Sequence, residues 1–183
     1  MRKLINSLAT FFVVFILIFS GCKKEDNPVD GGISGPTQTG AGTMSCKIDG
    51  QNWSSTTMPG APVPGAYAQQ ISGNTFTIVG MQVSGTVTSV INIWLTNLTG
   101  TGEYKLGIAG VNGATGYANL SFQPGNAYTT SSSETIKGKV SVIKFDTANK
   151  IISGTFEFTA EGQNPSDKKV VTEGKFDVKW GYF

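Results

Sequence analysis

Phe176, Val178, Trp180 and Tyr182 occupy alternate positions, with Lys175, Asp177, Lys179 and Gly181 between them. Only an extended strand places such a set on one face, because successive side chains of a strand point to opposite sides. The same period recurs along the chain. Phe156 and Phe158 alternate with Thr155, Glu157 and Thr159, and Ile91, Ile93 and Leu95 form a row against Asn92, Trp94 and Thr96. Phe76 and Ile78 repeat the pattern ahead of Gly80. Beyond the N-terminal apolar run no stretch sustains a helical period. The sequence therefore predicts an all-β domain, an antiparallel β-sandwich or flattened barrel of about eight or nine strands.

Turn chemistry sets the connections. Asp49-Gly50 suits a tight turn after an opening strand, which would return Trp53 to the sheet as a core anchor. Ser72-Gly73-Asn74 joins a strand near Tyr67–Ile71 to one near Thr75–Val83. Asp146-Thr147-Ala148-Asn149 closes a hairpin between Thr135–Phe145 and Lys150–Ala160. Gly154 interrupts a strand pattern, which implies a bulge or a close backbone approach. Ser54–Gly65, with three prolines, is expected to be irregular, as are Gly107–Gly116 and Gln123–Glu134. Trp53 and Trp180 read as core, and Cys46 shares a strand face with Ile48 as a small buried hydrophobe.

The N-terminus has a different organisation. Arg2 and Lys3 precede an apolar run from Leu8 to Phe19, then Ser20-Gly21-Cys22. That run is short for a membrane span and reads as a secretory signal peptide. A small residue before cysteine resembles a bacterial lipobox. The resemblance implies cleavage of residues 1–21, a diacylglycerol thioether on Cys22, and acylation, such as palmitate, of the new amino group. Two or more chains anchor a protein stably where one does not. Residues 22–43, rich in Gly, Thr and Pro, then form a disordered, flexible tether. A single all-β domain fills residues 44–183, about 140 residues.

Charge excludes one class of partner. Of fourteen basic residues, Arg2 and Lys3 leave with the signal peptide; twelve remain against twelve acidic ones, so the mature side chains are neutral in sum. No long basic patch is present, and nucleic acid is not expected as a partner.

Four segments carry a family resemblance. They are Cys46-Lys47-Ile48-Asp49-Gly50-Gln51-Asn52-Trp53, the run Leu98–Leu106, Ile152-Ser153-Gly154-Thr155-Phe156-Glu157-Phe158-Thr159-Ala160, and Thr172–Val178. Together they resemble small lipoproteins of Bacteroidota built on a domain of unknown function. Lys23-Lys24-Glu25-Asp26, directly after the lipidated cysteine, resembles the export signal that sends such proteins to the outer face of the outer membrane. The resemblance implies a lipid-anchored protein of the outer membrane at the cell surface; solvated linker charge, with the domain facing the periplasm, is the alternative. It implies no activity.

The search for chemistry narrows quickly. The chain has no histidine, which removes the commonest general base and the commonest metal ligand. No metal site, cofactor or catalytic residue is expected, and most carboxylates fall at outward strand positions. The strongest functional feature is Trp94, at the outward parity of its strand between Asn92 and Thr96. An exposed indole among amides and hydroxyls suits contact with a sugar ring or a protein partner. Asp146-Thr147-Ala148 also resembles the short pattern at which Bacteroidota O-glycosylate exported proteins, making Thr147 a candidate acceptor. The expectation is a non-catalytic binding or structural module for a glycan or protein ligand, held to the membrane by its lipid anchor. The alternative is a cell-envelope hydrolase using paired carboxylates.

Overall fold

The computed structural model describes residues 35–132 and 134–181. The expected signal peptide, Cys22, most of the expected tether and Tyr182 lie outside the described residues. Among the described residues eleven strands form one sheet. They are β1 (Thr43–Ile48), β2 (Gln51–Ser54), β3 (Ala66–Ser72), β4 (Thr75–Ser84), β5 (Val87–Leu95) and β6 (Gly102–Leu106). β7 (Gly116–Gln123), β8 (Ala127–Thr129), β9 (Gly138–Asp146), β10 (Ile151–Glu161) and β11 (Lys168–Lys179) complete it. The order across the sheet is β2-β1-β11-β10-β9-β6-β7-β5-β4-β3, with β8 paired to β7 and β10. The pairing is antiparallel throughout except between β6 and β7, which meet in parallel at Leu106 and Gly116.

The expected all-β class is what the chain adopts, with more strands than the periodicity revealed. β2 and β8 are too short to show a repeat, and β8 falls inside Gln123–Glu134, which the sequence had pointed to as irregular. Main-chain pairing makes β8 a strand: Leu120 pairs with Tyr128, and Glu161 with Thr129.

The sheet folds over on itself to enclose one core. Its first half (β2, β1, β11, β10, β9) and its second (β7, β5, β4, β3) turn their inward rows towards each other. Phe76 on β4 meets Phe145 on β9 and Trp180 edge-on, at 5.6 and 5.4 Å between ring centres. The Trp53 indole N–H donates to Ser89 Oγ across 2.7 Å. Ile78, Ile91, Ile93, Leu95, Ile152 and Val178 are fully enclosed. At roughly 25 cal/mol per Å² of apolar surface removed from water, this shared core is the main source of cohesion. A parallel bridge from Ala68 to Trp180 brings β3 back against the end of β11, so the sandwich is nearly closed into a flattened barrel.

Local predictions hold where turn chemistry was specific. Asp49 and Gly50 adopt φ of 49° and 80°, the left-handed pair that a two-residue hairpin needs, and Trp53 lies opposite Cys46. Gly154 sits at a register shift between β9 and β10. A Cβ there would lie 2.4 Å from the Ser141 carbonyl oxygen and 2.9 Å from the Phe176 ring.

Two expectations need correction. Asp177 has outward parity yet is only 1% exposed. The tether expected to run through Thr43 also ends sooner, because residues 37–41 form a strap docked on that carboxylate. Asp177 Oδ2 accepts from Thr37 Oγ1 at 2.5 Å, from the Thr39 amide at 2.9 Å and hydroxyl at 3.1 Å, and from the Ala41 amide at 3.1 Å. Oδ1 accepts from the Gly40 amide at 2.8 Å and from Ser153 Oγ at 2.5 Å. Gly42 continues the strap, donating to the Asp177 carbonyl and accepting from the Ala66 amide. Strand periodicity could not reveal this, because the cover comes from residues about 140 positions away.

Burial opposes ionisation of Asp177 most strongly, but the bonds from Ser153, Thr37 and the Gly40 and Ala41 amides together hold it well below the usual carboxylate range. A carboxyl lowered in the folded state contributes stability above its unfolded pKa, near 4, and loses it as pH falls towards the folded value. Asp177→Asn is expected to cost roughly 2–3 kcal/mol at neutral pH, because a charged acceptor of several donors is replaced by a neutral one. Urea titrations at neutral pH and down through the acid range should show the difference between wild type and variant shrinking as pH drops below about 4. A difference that stays constant through the acid range would contradict the assignment.

Candidate functional site

The outward rows of the second half-sheet can be read from its register. Thr77, Trp94 and Tyr117 lie side by side on β4, β5 and β7. The next row is Val79, Asn92, Asn119, Thr129 and Glu161, carried from β4 through β5, β7 and β8 to the end of β10. A third row holds Met81, Val90, Ser121 and Ala127. Rows two residues apart stand about 7 Å from each other along the strands. The members of the second and third rows on β5, β7 and β8 line a groove of about 570 Å³, bounded at one end by Glu161, Gly162 and Gln163.

The surface is mixed by construction. Strand alternation sends Ile91, Ile93, Ala118 and Leu120 into the core and leaves the amides, hydroxyls and one aromatic pair outside. Trp94 and Tyr117 are half-buried, with ring planes 10° from parallel and centres 5.9 Å apart. Trp94 thus keeps the outward parity read from the sequence, and Tyr117 holds it in place. Thr77 Oγ1 donates to Asn92 Oδ1 at 2.6 Å, which orients that amide and leaves its Nδ2 as the donor for the groove.

At the closed end Glu161 is 6% exposed. Lys137 Nζ lies 2.7 Å from Oε1 and Lys168 Nζ 3.4 Å, and Ser132 Oγ donates to Oε2. The hydrogen bond from Lys137, reinforced by that from Ser132, pulls its pKa down to about 2. The carboxylate is therefore ionised and matched by cations at any ordinary pH. Outward parity had marked it as an ordinary surface charge; the loop that carries Ser132 and Lys137 covers it.

A second cavity, of about 530 Å³, lies on the other half-sheet, where Gly35 and Pro36 roof the outward face of β9, β10 and β11. Its carboxylates are Glu157, within 3.7 Å of Lys139, and Glu173, 2.7 Å from Lys47, and both side chains are about half exposed.

Other marked residues separate from these cavities. Thr147 is exposed in the β9–β10 turn, where Asp146 accepts from the Asn149 amide at 2.9 Å and from its side chain at 2.8 Å. Cys46 is 3% exposed, and burial pushes its thiol up to about 12. Trp53 and Trp180 are in the core. Among the described residues no cluster of three or more His, Cys, Asp or Glu side chains is placed to hold a metal ion. No helix among them is long and apolar enough to cross a membrane.

Fold and groove together define a small all-β domain with a polar, aromatic-edged outer face. Residues 41–178 match the family described as Domain of unknown function (DUF6252), and the chain belongs to that family. The match begins within the strap and takes in Asp177. No curated protein and no solved structure matches the chain.

Proposed function

We propose that the protein is a lipid-anchored surface module that binds an uncharged glycan, without catalysis, in the groove between β5, β7 and β8. The observation that carries this reading is the composition of the groove. Asn92, Asn119, Ser121 and Thr129 supply amides and hydroxyls in register, beside the Trp94–Tyr117 pair. Sugars present hydroxyls at their edges and C–H faces to aromatic rings, and sites of this kind combine a few oriented polar groups with apolar surface. No lysine or arginine lines the groove, and its one carboxylate is already held by Lys137 and Lys168, so the lining offers no cation to an acidic polymer.

A hydrolase is less well supported. Glycoside cleavage uses a carboxyl group whose pKa is raised so that it can donate a proton. Glu161 and Asp177, the two buried carboxylates among the described residues, are both shifted the other way.

Three measurements test this reading. Affinity electrophoresis through gels containing a neutral polysaccharide series should show retardation of the wild type. Trp94→Ala should weaken it roughly tenfold, about what the loss of a stacked ring costs, and Asn92→Ala with Asn119→Ala should abolish it. Retention unchanged in both variants would move the site elsewhere, and binding only to a protein from the same surface would replace the glycan. Cys22→Ser should shift the protein from the membrane to the soluble fraction, and a variant that stays with the membrane would refute the anchor. Thr147, exposed beside Asp146, is proposed to carry a sugar: intact mass of the native protein should fall by whole hexose units in Thr147→Ala, and a mass of polypeptide plus lipid alone would end that assignment.

A further inference from the structure

The groove repeats one chemistry along one axis only. Asn92 on β5, Asn119 on β7 and Thr129 on β8 are register partners, so their side chains stand in a line that crosses the strands. Adjacent members are separated by the strand spacing, about 4.8 Å. Each can both donate and accept a hydrogen bond, through an amide or a hydroxyl. Along a strand the chemistry changes at every step instead: on β5 the outward positions are Trp94, Asn92 and Val90, at intervals of about 7 Å. The line also has limits. Beyond Thr129 the next position is Glu161, whose carboxylate is already held by Lys137 and Ser132. Beyond Asn92 it is Val79, which has no side-chain hydrogen-bonding group.

We infer that the ligand of this groove is an extended, equatorially linked glycan lying across the strands, with three successive sugars on Asn92, Asn119 and Thr129. The inference rests on the glycan reading of the groove and adds linkage, direction and length to it. In an extended, equatorially linked chain of six-membered rings, each sugar advances the chain by roughly the distance between neighbouring strands. Ring edges and the polar row therefore keep step. An axially linked chain coils and curls out of the line. Val90 and Ala127, one row along, give apolar surface for the C–H faces of the rings. The dimensions agree as well. The groove's volume of about 570 Å³ falls within the roughly 300–1,000 Å³ of sites that enclose small ligands. Three strand steps, from β5 through β7 and β8 to β10, give it about 14 Å of length.

Calorimetric titration of the native protein, held in a detergent without sugar head groups, tests linkage and length together. The probes are uncharged oligomers of one to six sugars: equatorially linked series of glucose, N-acetylglucosamine, mannose and xylose, and an axially linked series of glucose. At least one equatorial series should bind, and the axial series should not. Affinity should rise about tenfold for each sugar up to the third, the gain from an added pair of hydrogen bonds, and by less than about twofold for each one beyond it. Thr129→Val and Asn92→Leu, at the two ends of the row, should each lower trisaccharide affinity to that of the disaccharide on the native protein. Their thermal unfolding reports whether the fold is intact, and the length series on the native protein needs no variant. Equal or tighter binding of the axial series would overturn the inference, as would affinity that ignores length or keeps rising unabated past the third sugar. A third-sugar gain that survives in both end variants would overturn the direction across the strands. Retardation in polysaccharide gels without binding of any equatorial series would overturn the inference and leave the glycan site standing. Absence of retardation in every gel would remove both.

Discussion

The structure turns on a carboxylate in the wrong place for its parity. Asp177 sits on the outward side of β11, where charge is normally solvated, and is nonetheless enclosed. Removing a carboxylate from water costs several kcal/mol unless its lone pairs find partners. Here six bonds from main-chain amides and hydroxyls replace the lost water, five from the strap and one from Ser153. The position of the clasp matters as much as its strength. Gly42, at the strap's end, bonds the Asp177 carbonyl on one side and the Ala66 amide of β3 on the other. The strap therefore laces the last strand of the sheet path to β11, close to the bridge from Ala68 to Trp180. A sheet left open at that seam would expose the edge of β3 and the end of β11 beyond its pairing with β1, and unpaired edges invite pairing with other chains.

Much of this architecture was legible in the sequence because it depends on local rules. Alternation alone sorted Phe156, Phe158, Phe176 and Val178 to the core and Thr155, Glu157 and Lys179 to the surface. Asp49-Gly50 and Gly154 announced a hairpin and a bulge, since few other residues tolerate those backbone positions. Hidden from sequence were the features made by distant segments. Asp177 and Glu161 share the parity of their exposed neighbours, and loops or straps from elsewhere bury them. Two short strands escaped notice because pairing, not pattern, defines them.

The candidate site divides along the same line. Trp94 stood out as an aromatic at a polar position, and the structure keeps it there. Its partner Tyr117 and the amide of Asn119 lie on β7, which pairs with β5 although β6 intervenes in the chain. A single sequence does not disclose that pairing. The groove is thus a product of topology, while each of its rows follows the ordinary alternation of a strand.

The claim at the centre of this account is that residues 37–42 belong to the folded domain. Amide hydrogen exchange on the mature protein reads it directly. The Thr39, Gly40, Ala41 and Gly42 amides, all donors to Asp177, should exchange as slowly as neighbouring β1 amides, and those of Thr39, Gly40 and Ala41 should become fast in Asp177→Ala while the central strands stay protected. Exchange of these amides at the rate of an unstructured chain in the native protein would contradict the clasp and leave the strap as mere linker.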